Sequence, residues 1–336
     1  MSSKTPSSPW KSYDARFAAI TGPSPTLECL LQVDEFPFAH EAGVFIAATN
    51  ELFITSNQFV DPKTNIKKVQ ISRVVLHDNG TVSRHDIDCK AILMGNGGVN
   101  YRDDKEVLFC AQGSMTQPSG LFAMETKPPY KTRTVITEFL GRPFNSVNDV
   151  VMYSDGSIWF TDPSYGYEQG YRPRPRLPSQ VYRYEPDTGS VRAVADAFGH
   201  PNGLCFSPNE KTMYVTDTDW IHGDGTTDDS RVSSIYAFDV QYYSNSPFLT
   251  NRRLFAMADT GIPDGIKCDT DGNVYSGCGD GINVWTPGGV LLGKILVEGG
   301  AANFCFGRDG DLFILNETRL WRAKLGTGVK GALLRI

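Results

Sequence analysis

Six copies of one short pattern recur along this chain of 336 residues, and they limit its fold more than any other feature. Each copy is a polar turn followed by a short apolar or aromatic strand, and most copies lead, after a loop, into a further strand. The copies are NELFITSN (residues 50–57), KEVLFCAQG (105–113), DGSIWFTDP (155–163), NEKTMYVTDT (209–218), DGNVYSGCGD (271–280) and DGDLFILNET (309–318). Their spacing of roughly 40 to 60 residues is typical of four-stranded propeller blades.

Two other architectures fit these strands less well. No segment between them shows the amphipathic pattern of about ten or more residues that the crossover helices of a parallel α/β fold require. A single β-sandwich of this length would be large, and it would not explain the regular repetition. We therefore predict an all-β fold, a six-bladed β-propeller, over residues 26–336. Residues 1–25 are expected to form an N-terminal extension that is partly disordered or packed on the propeller.

The strand TLECLLQV, residues 26–33, is expected to close the ring by pairing with the last blade. With 40% hydrophobic and 21% charged residues, the chain has enough apolar material for a large core. The net charge of −6 is spread along the chain without basic clusters, which argues against a nucleic acid or an anionic membrane as partner. We therefore expect a small-molecule substrate and a monomer or weak homo-oligomer.

The N-terminus and the cysteines predict a cytoplasmic location. The first residues are polar and rich in Pro and Ser, without the apolar segment of a signal peptide or membrane anchor. The seven cysteines are widely scattered, and most lie in apolar strand-like runs such as LCF and FCF. This pattern indicates buried free thiols in a reducing compartment.

Polar residues recur where the strand before each turn begins. In four units an Asn or Asp lies seven residues before the turn residue, namely Asn96, Asn148, Asn202 and Asp264. Glu41 matches in the first unit if two extra turn residues are allowed, and in the sixth unit the matching position is Ala302 or Asn303. Because the inner strand of each blade lines the central channel, we expect these side chains to converge around the axis.

The converging side chains of Glu41, Asn96, Asn148, Asn202 and Asp264 are called the ring residues below. Their chemistry favours a hard cation. Two carboxylates and three amide carbonyls, with no His or Cys among them, suit Ca²⁺ or another hard divalent ion better than Zn²⁺. Any one Asn or Asp at such a position can instead cap a strand or turn, and the shared register favours the ligand interpretation. We predict one divalent metal ion in a central metal-binding channel, Ca²⁺ first, with Mg²⁺, Mn²⁺ and Zn²⁺ as alternatives.

Four segments resemble the gluconolactonase, regucalcin (senescence marker protein) and lactonohydrolase family, most closely its gluconolactonase branch. They are NSVNDVVMYSDGSIWFTDPSYG, HPNGLCFSPNEKTMYVTDTD, IPDGIKCDTDGNVYSGCGDGINVWTPGG and NFCFGRDGDLFI. The likeness extends from roughly residue 36 to the end. It implies a six-bladed propeller that hydrolyses sugar lactones or related lactones with a divalent ion, usually Ca²⁺, in the channel.

The resemblance also implies roles for single residues. It assigns the metal ion to Glu41, Asn148, Asn202 and Asp264, and it matches Asn96 more loosely to a position near the substrate. Regucalcin-like members carry a substrate-binding Arg two residues before the Asn that corresponds to Asn148, and here that residue is Ser146. Arg142 is the candidate to replace it; the other explanation is a substrate with fewer hydroxyl or acidic groups than an aldonolactone.

Lactone hydrolysis needs a polarised carbonyl, an attacking water and a base. We predict Asp264, or a metal-bound water, as the group that drives attack, with Asp149 either orienting Asn148 or Asp264 or making a structural hydrogen bond. Residues 163–180 are expected to form a loop near the channel mouth, either one from which Tyr165 contacts substrate or a solvated loop without that role. The five histidines form no recognisable triad or zinc pattern, and a substrate contact stays open for His40 and His200.

Three functions are consistent with these features. The first is a gluconolactonase-like lactonase, a hydrolase acting on carboxylic ester bonds. The second is a phosphotriesterase on the same propeller, because the same ion can activate a P=O group. The third is a propeller that binds Ca²⁺ or a ligand without turnover.

Overall fold

A computed structural model describes residues 8–332, which form six antiparallel sheets, five of four strands and one of five. Along the chain, each inner strand contacts the inner strand of the next sheet, and the sixth contacts the first. The six-bladed propeller predicted from the repeats is therefore confirmed.

The blades are numbered along the chain, and their strands are given from the channel outward. Blades 1 and 2 contain Glu41–Ile46, Glu51–Thr55, Ile71–Leu76 and Val82–Ile87, then Gly95–Tyr101, Glu106–Ala111, Gly120–Glu125 and Thr132–Ile136. Blades 3 and 4 contain Val150–Met152, Ile158–Asp162, Gln180–Glu185 and Ser190–Ala195, then Pro201–Phe206, Thr212–Asp217, Ser234–Tyr243 and Ser246–Met257. Blades 5 and 6 contain Ile266–Cys268, Val274–Cys278, Gly281–Trp285, Leu291–Leu296 and Trp10–Ser12, then Asn303–Phe306, Asp311–Asn316, Arg319–Lys324 and Thr26–Gln32.

The remaining elements are short. Two ribbons pair Phe59–Val60 with Lys67–Lys68 and Glu138–Phe139 with Arg142–Pro143. Two helices span Phe17–Thr21 and Tyr165–Glu168. Within residues 8–332, neither helix has the length or the hydrophobicity needed to cross a bilayer.

The N-terminal part of the described chain joins the last two blades. Thr26–Gln32, the strand expected from TLECLLQV, pairs with Arg319–Lys324 as the outer strand of blade 6. Trp10–Ser12 pairs with Leu291–Leu296 at the outer edge of blade 5. Because blade 6 combines strands from both ends of the chain, the ring is closed by backbone hydrogen bonds.

Neighbouring blades are held together by apolar side chains that alternate along each strand. In blade 3, Trp159 packs towards blade 4, edge-on to Phe206 with ring centroids 5.5 Å apart. The next residue, Phe160, faces the other side and packs against Phe144, which lies among residues of blade 2. Because successive strand residues point to opposite faces, each middle strand contributes to two interfaces between blades.

Candidate metal centre and active site in the channel

The residues predicted to form a ring lie together at the channel. They line a cavity of about 240 Å³ and belong to five different blades: Glu41, Asn96, Asn148, Asn202 and Asp264. Four of them are at least nine-tenths buried, and Asn96 is half-buried. The inner strands therefore place three amide groups and two carboxylates around one space.

Backbone hydrogen bonds between blades show which positions are equivalent. The Gly97 amide donates to the Asn148 carbonyl oxygen at 2.8 Å, and the Gly265 amide donates to the Ala302 carbonyl oxygen at 2.9 Å. Ala302 thus holds the ring position in blade 6, which settles the ambiguity between residues 302 and 303. A side chain on Gly97 would collide with the next blade, so glycine after a ring residue permits this close approach.

Asn303 follows the ring position of blade 6, and its side chain contacts the ring residue Glu41. Its Nδ2 donates to Glu41 Oε2 at 2.7 Å, and its Oδ1 accepts from the Phe304 amide at 2.8 Å. Glu41 therefore keeps its other oxygen for a ligand while one oxygen is held in place.

Buried threonines fix the backbone of three ring residues. Each lies on the second strand of one blade and donates from Oγ1 to the carbonyl oxygen of the ring residue in the next blade. The pairs are Thr55 with Asn96 at 3.0 Å, Thr161 with Asn202 at 2.7 Å and Thr216 with Asp264 at 3.1 Å. Sequence reasoning missed this role, although the signal is present as a Thr at the end of FIT, WFT and YVT.

In two blades an Asp follows that Thr and holds the entrance of its own inner strand. Asp162 accepts the backbone N–H groups of Asn145 and Ser146 at 2.9 and 2.8 Å, and Asp217 does the same for residues 199–200. Burial raises the pKa of Asp162 to about 7, although these backbone donors oppose the shift. In each of these two blades the Thr therefore positions the ring residue of the next blade, and the Asp positions the entrance of the inner strand in its own blade.

We predict that Thr161→Val destabilises the ring. The change keeps the shape of the side chain but leaves the buried Asn202 carbonyl without its donor, so the free energy of unfolding should fall by about 1–3 kcal/mol and Ca²⁺ affinity should fall with it. Chemical denaturation and calorimetric titration measure the two effects. Thr250→Val is the matched control, because Thr250 Oγ1 donates to the Asp239 carbonyl in the outer part of blade 4. Equal Ca²⁺ affinities in the two variants would contradict the positioning role.

Among residues 8–332, three ring oxygens have no hydrogen-bond partner. Asn96 Oδ1, Asn148 Oδ1 and Asp264 Oδ1 are buried and unpaired. Leaving a buried polar atom unpaired is costly, and native proteins rarely do so without a ligand or water in place. Oxygens of this type, aimed into one cavity, fit a hard divalent cation.

The carboxylates of the ring lie in a site short of positive charge. Burial, reinforced by the nearby Asp264 charge, raises the pKa of Glu41 well above its usual range. Burial also raises the pKa of Asp264 to about 6, where the Asp149 charge adds to the effect and His40 opposes it. Burial alone would lower the pKa of His40, but the Glu317 carboxylate at 2.7 Å from Nδ1 raises it to about 10. A divalent cation between the two carboxylates would stabilise their charged forms.

Three other residues singled out from the sequence do not line the cavity. Asp149 is buried behind Asn148, and its carboxylate accepts the backbone N–H groups of Val150 and Leu204 at 2.9 and 3.2 Å. Ser146 is also buried, and its hydroxyl donates to the Pro163 carbonyl. Arg142 is exposed on a ribbon beside blade 3.

The insertion at residues 163–180 does reach the channel. Tyr165, Gln169 and Tyr171 line the cavity, and the Tyr165 hydroxyl is hydrogen-bonded to Thr218. Arg172 is buried and donates to the carbonyl oxygens of residues 114, 117, 144 and 145, which fixes this segment. Its position in the run YRPRPR gave no sign of this role.

The positive charge on the cavity wall is balanced, because the protonated imidazole of His40 forms an ion pair with the Glu317 carboxylate. Within residues 8–332, the polar lining of the cavity consists of amides, hydroxyls, carboxylates and the imidazoles of His40 and His222, with no Lys or Arg. Four apolar side chains complete it, namely Val69, Met94, Ile221 and Ile262. Such a wall suits a neutral ligand with both polar and apolar parts.

The six-bladed propeller and its oxygen-lined channel define the class of protein, and comparison with known proteins gives the family. Residues 41–317 match the family described as SMP-30/Gluconolactonase/LRE-like region, so the chain belongs to this family, as its motifs predicted. It is 28% identical over 336 residues to lactonohydrolase oryL of Aspergillus oryzae, covering 94% of this chain and 73% of that protein. It is 28% identical over 252 residues to a gluconolactonase of Zymomonas mobilis, covering 69% of this chain and 64% of that protein.

The fold agrees with a solved relative. A solved structure of a gluconolactonase from Xanthomonas campestris superposes with a TM-score of 0.73 and 27% identity, covering 94% of each chain.

Proposed function

We propose that this protein is a metal-dependent lactonase, a hydrolase acting on carboxylic ester bonds, whose substrate is a neutral sugar lactone or related small lactone. The observation that carries the proposal is the set of three buried, unpaired oxygens facing a cavity that also holds two carboxylates. The names of the relatives support the reaction class, because they are called lactonohydrolase and gluconolactonase.

Glu41, Asn148, Asn202 and Asp264 are the residues that would hold the cation. Oxygen ligands with two negative charges favour Ca²⁺, and Mg²⁺, Mn²⁺ and Zn²⁺ are the alternatives. When bound, such an ion supplies Lewis-acid polarisation of the lactone carbonyl and stabilises the oxyanion.

The chain's own groups would carry out the remaining steps. Asp264 accepts the proton of the attacking water, because it is the carboxylate that lines the cavity with one oxygen unpaired. Attack forms a bond from the water oxygen to the carbonyl carbon. The ring C–O bond then breaks, and Asp264 returns its proton to the leaving oxygen to give a hydroxy acid. Asn96 and Tyr165, which both line the cavity, would position the substrate.

The buried aspartate behind the ring has a supporting role in this scheme. Asp149 binds two backbone amides, so it would fix the strand that carries Asn148. Arg142 and Ser146 do not reach the cavity, which fits a substrate without an acidic group.

We place the enzyme in the cytoplasm. Among the described residues all seven cysteines are free thiols, including Cys205 and Cys268, whose sulfur atoms lie 3.8 Å apart. Such a pair is expected to persist as thiols in a reducing compartment.

A pH-stat assay with a panel of lactones tests the proposal. Aldonolactones, pantoyl lactone and aromatic lactones are compared with a phosphotriester, each with and without a chelator. The proposal expects chelator-sensitive release of acid from at least one lactone at a higher kcat/KM than for the phosphotriester. Faster turnover of the phosphotriester would favour the phosphotriesterase, and Ca²⁺ binding without turnover would favour a binding protein.

A further inference from the structure

A second group of metal-ligating side chains lies at the channel mouth, apart from the oxygen ring. Glu168, His200 and His222 each offer one ligand atom, and these atoms all lie within 4.8 Å of one another. Glu168 ends the short helix of the insertion, His200 precedes the inner strand of blade 4, and His222 lies in the loop after its second strand. His222 also lines the channel cavity.

Each of the first two side chains is oriented by further contacts. The Glu168 carboxylate accepts from Ser164 Oγ and from the Gly223 amide, both at 2.7 Å. His200 is buried, with Nε2 2.7 Å from Glu168 Oε1 and Nδ1 3.1 Å from Asp219 Oδ1. His200 Nδ1 forms no hydrogen bond within residues 8–332, so Asp219 acts on the ring through its negative charge, which raises the basicity of the imidazole.

Two aromatic rings pack against the His200 imidazole. Tyr165 stacks on it with ring centroids 4.8 Å apart and planes 14° apart. His222 lies edge-on to it at 5.9 Å. The close approach of Glu168 and His200 is what a shared proton produces, and metal ions bind such groups by displacing that proton.

We propose that Glu168, His200 and His222 form a binding site for a transition metal ion of the Zn²⁺ type at the channel mouth. Two imidazole nitrogens and one carboxylate oxygen are ligands that Zn²⁺ and Co²⁺ prefer, whereas the ring offers only oxygen. Three protein ligands leave a fourth position for a water or a substrate oxygen, as in catalytic zinc sites. The ion would also connect the insertion of blade 3 to the loop of blade 4.

Co²⁺ is the probe, because nitrogen-containing sites give it a visible absorption spectrum. Demetallated protein is first saturated with Ca²⁺ to occupy the ring and then titrated with Co²⁺. We expect one equivalent to bind with a visible spectrum, and Zn²⁺ to displace it. His222→Ala and Glu168→Gln should each weaken Co²⁺ binding by at least ~10-fold. Their thermal unfolding midpoints check that both variants are folded.

Two control variants separate this site from other places for the ion. His77 and His85 both contact Ser83 Oγ at the outer strands of blade 1 and could bind a metal on the surface, so the double variant His77→Ala/His85→Ala should retain the spectrum. Asn148→Ala, which alters the ring, should retain it too. Absence of stoichiometric binding, unchanged binding in His222→Ala and Glu168→Gln, or loss in either control would overturn the proposal.

An adjoining cavity carries a second inference, which rests on the proposed lactonase function. A space of about 810 Å³ lies beside blades 1 and 2 and shares Val69, Met94 and Tyr171 with the channel cavity. Its wall includes the buried side chains of Ile87 and Ile92. The two cavities therefore meet at a common wall.

Apolar residues are also exposed at this cavity. Ile66 and Met115 line it and are 65% and 60% exposed, although large apolar side chains are normally buried. The residues where the two cavities adjoin are held by hydrogen bonds: the Met94 carbonyl accepts from the Gln112 amide at 3.0 Å, and the Gln112 side chain accepts from the Tyr171 hydroxyl. We infer that the substrate is a lactone whose ring carries an aliphatic chain, and that this chain occupies the adjoining cavity.

A series of γ-alkyl butyrolactones with increasing chain length tests this inference. Each added methylene should raise kcat/KM by about 3–4-fold until the cavity is full. Met115→Glu should flatten this rise, whereas Leu254→Glu, an equally exposed position on the outer strand of blade 4, should preserve it. A flat series in the wild type, or equal slopes in both variants, would overturn the inference while leaving lactone hydrolysis intact. Absence of hydrolysis of every lactone would instead contradict the proposed function.

Discussion

Asp264→Asn is expected to lower kcat for lactone hydrolysis by about 10² to 10⁴, even when Ca²⁺ is saturating. The substitution keeps the size of the side chain and one oxygen, but it removes a charge and the proton acceptor that lines the cavity. Metal affinity should also fall, because one of the two carboxylates in the ring is lost. The loss of affinity can be overcome by adding Ca²⁺, whereas the loss of a base cannot.

A Ca²⁺ series measured at saturating lactone separates these two effects. Asp309→Asn is the matched control, because Asp309 lies in an exposed turn of blade 6 with a φ of 53°, which Asn tolerates well. The control should keep full activity. Recovery of the Asp264 variant to within a few-fold of wild type at high Ca²⁺ would remove Asp264 as the base and leave it as a ligand.

Chelation with EDTA is expected to abolish hydrolysis, and Ca²⁺ alone is expected to restore it. The lactone carbonyl needs a positive charge nearby. No Lys or Arg lines the cavity among residues 8–332, and the charge of His40 is balanced by its ion pair with Glu317. The loss should occur without unfolding, because the blades are held together by hydrophobic clusters that lie between neighbouring sheets and contain no ring residue.

Elemental analysis of the chelated protein makes this experiment decisive. It confirms that both the ring and the histidine cluster at the mouth are free of metal. Restoration by Zn²⁺ but not by Ca²⁺, together with loss of this Zn²⁺ binding in His222→Ala, would move the essential ion from the ring to the group formed by Glu168, His200 and His222. Full activity in protein shown to be free of metal would contradict metal dependence altogether.

The six-bladed architecture could be predicted because it depends on short sequence patterns that repeat along the chain. Each blade repeats a turn and an apolar strand, so the period and the number of copies are visible without any knowledge of long-range contacts. The ring followed from the same register, since residues at equivalent positions of successive inner strands must converge at the axis. Asn96, Asn148, Asn202 and Asp264 were found in this way.

Other features depend on contacts that spacing does not encode. Glu168 and His200 are 32 residues apart and meet only because an insertion of blade 3 folds over the channel. The ring position in blade 6 stayed ambiguous until the backbone pairing of Gly265 with Ala302 was seen. Arg172 looked like one of several arginines in a solvated loop, but it is buried against four carbonyl oxygens.

Calorimetric titration of Ca²⁺ into demetallated wild type and Asn148→Ala tests the central claim most directly. Asn148 offers a buried, unpaired Oδ1 to the channel, and its backbone is held independently by hydrogen bonds to Thr161 and Gly97. We predict one Ca²⁺ site in the wild type and an affinity at least ~10-fold weaker in the variant, with an unchanged thermal unfolding midpoint. Equal affinities in the two proteins, or no Ca²⁺ binding to the wild type, would contradict a metal site in the ring.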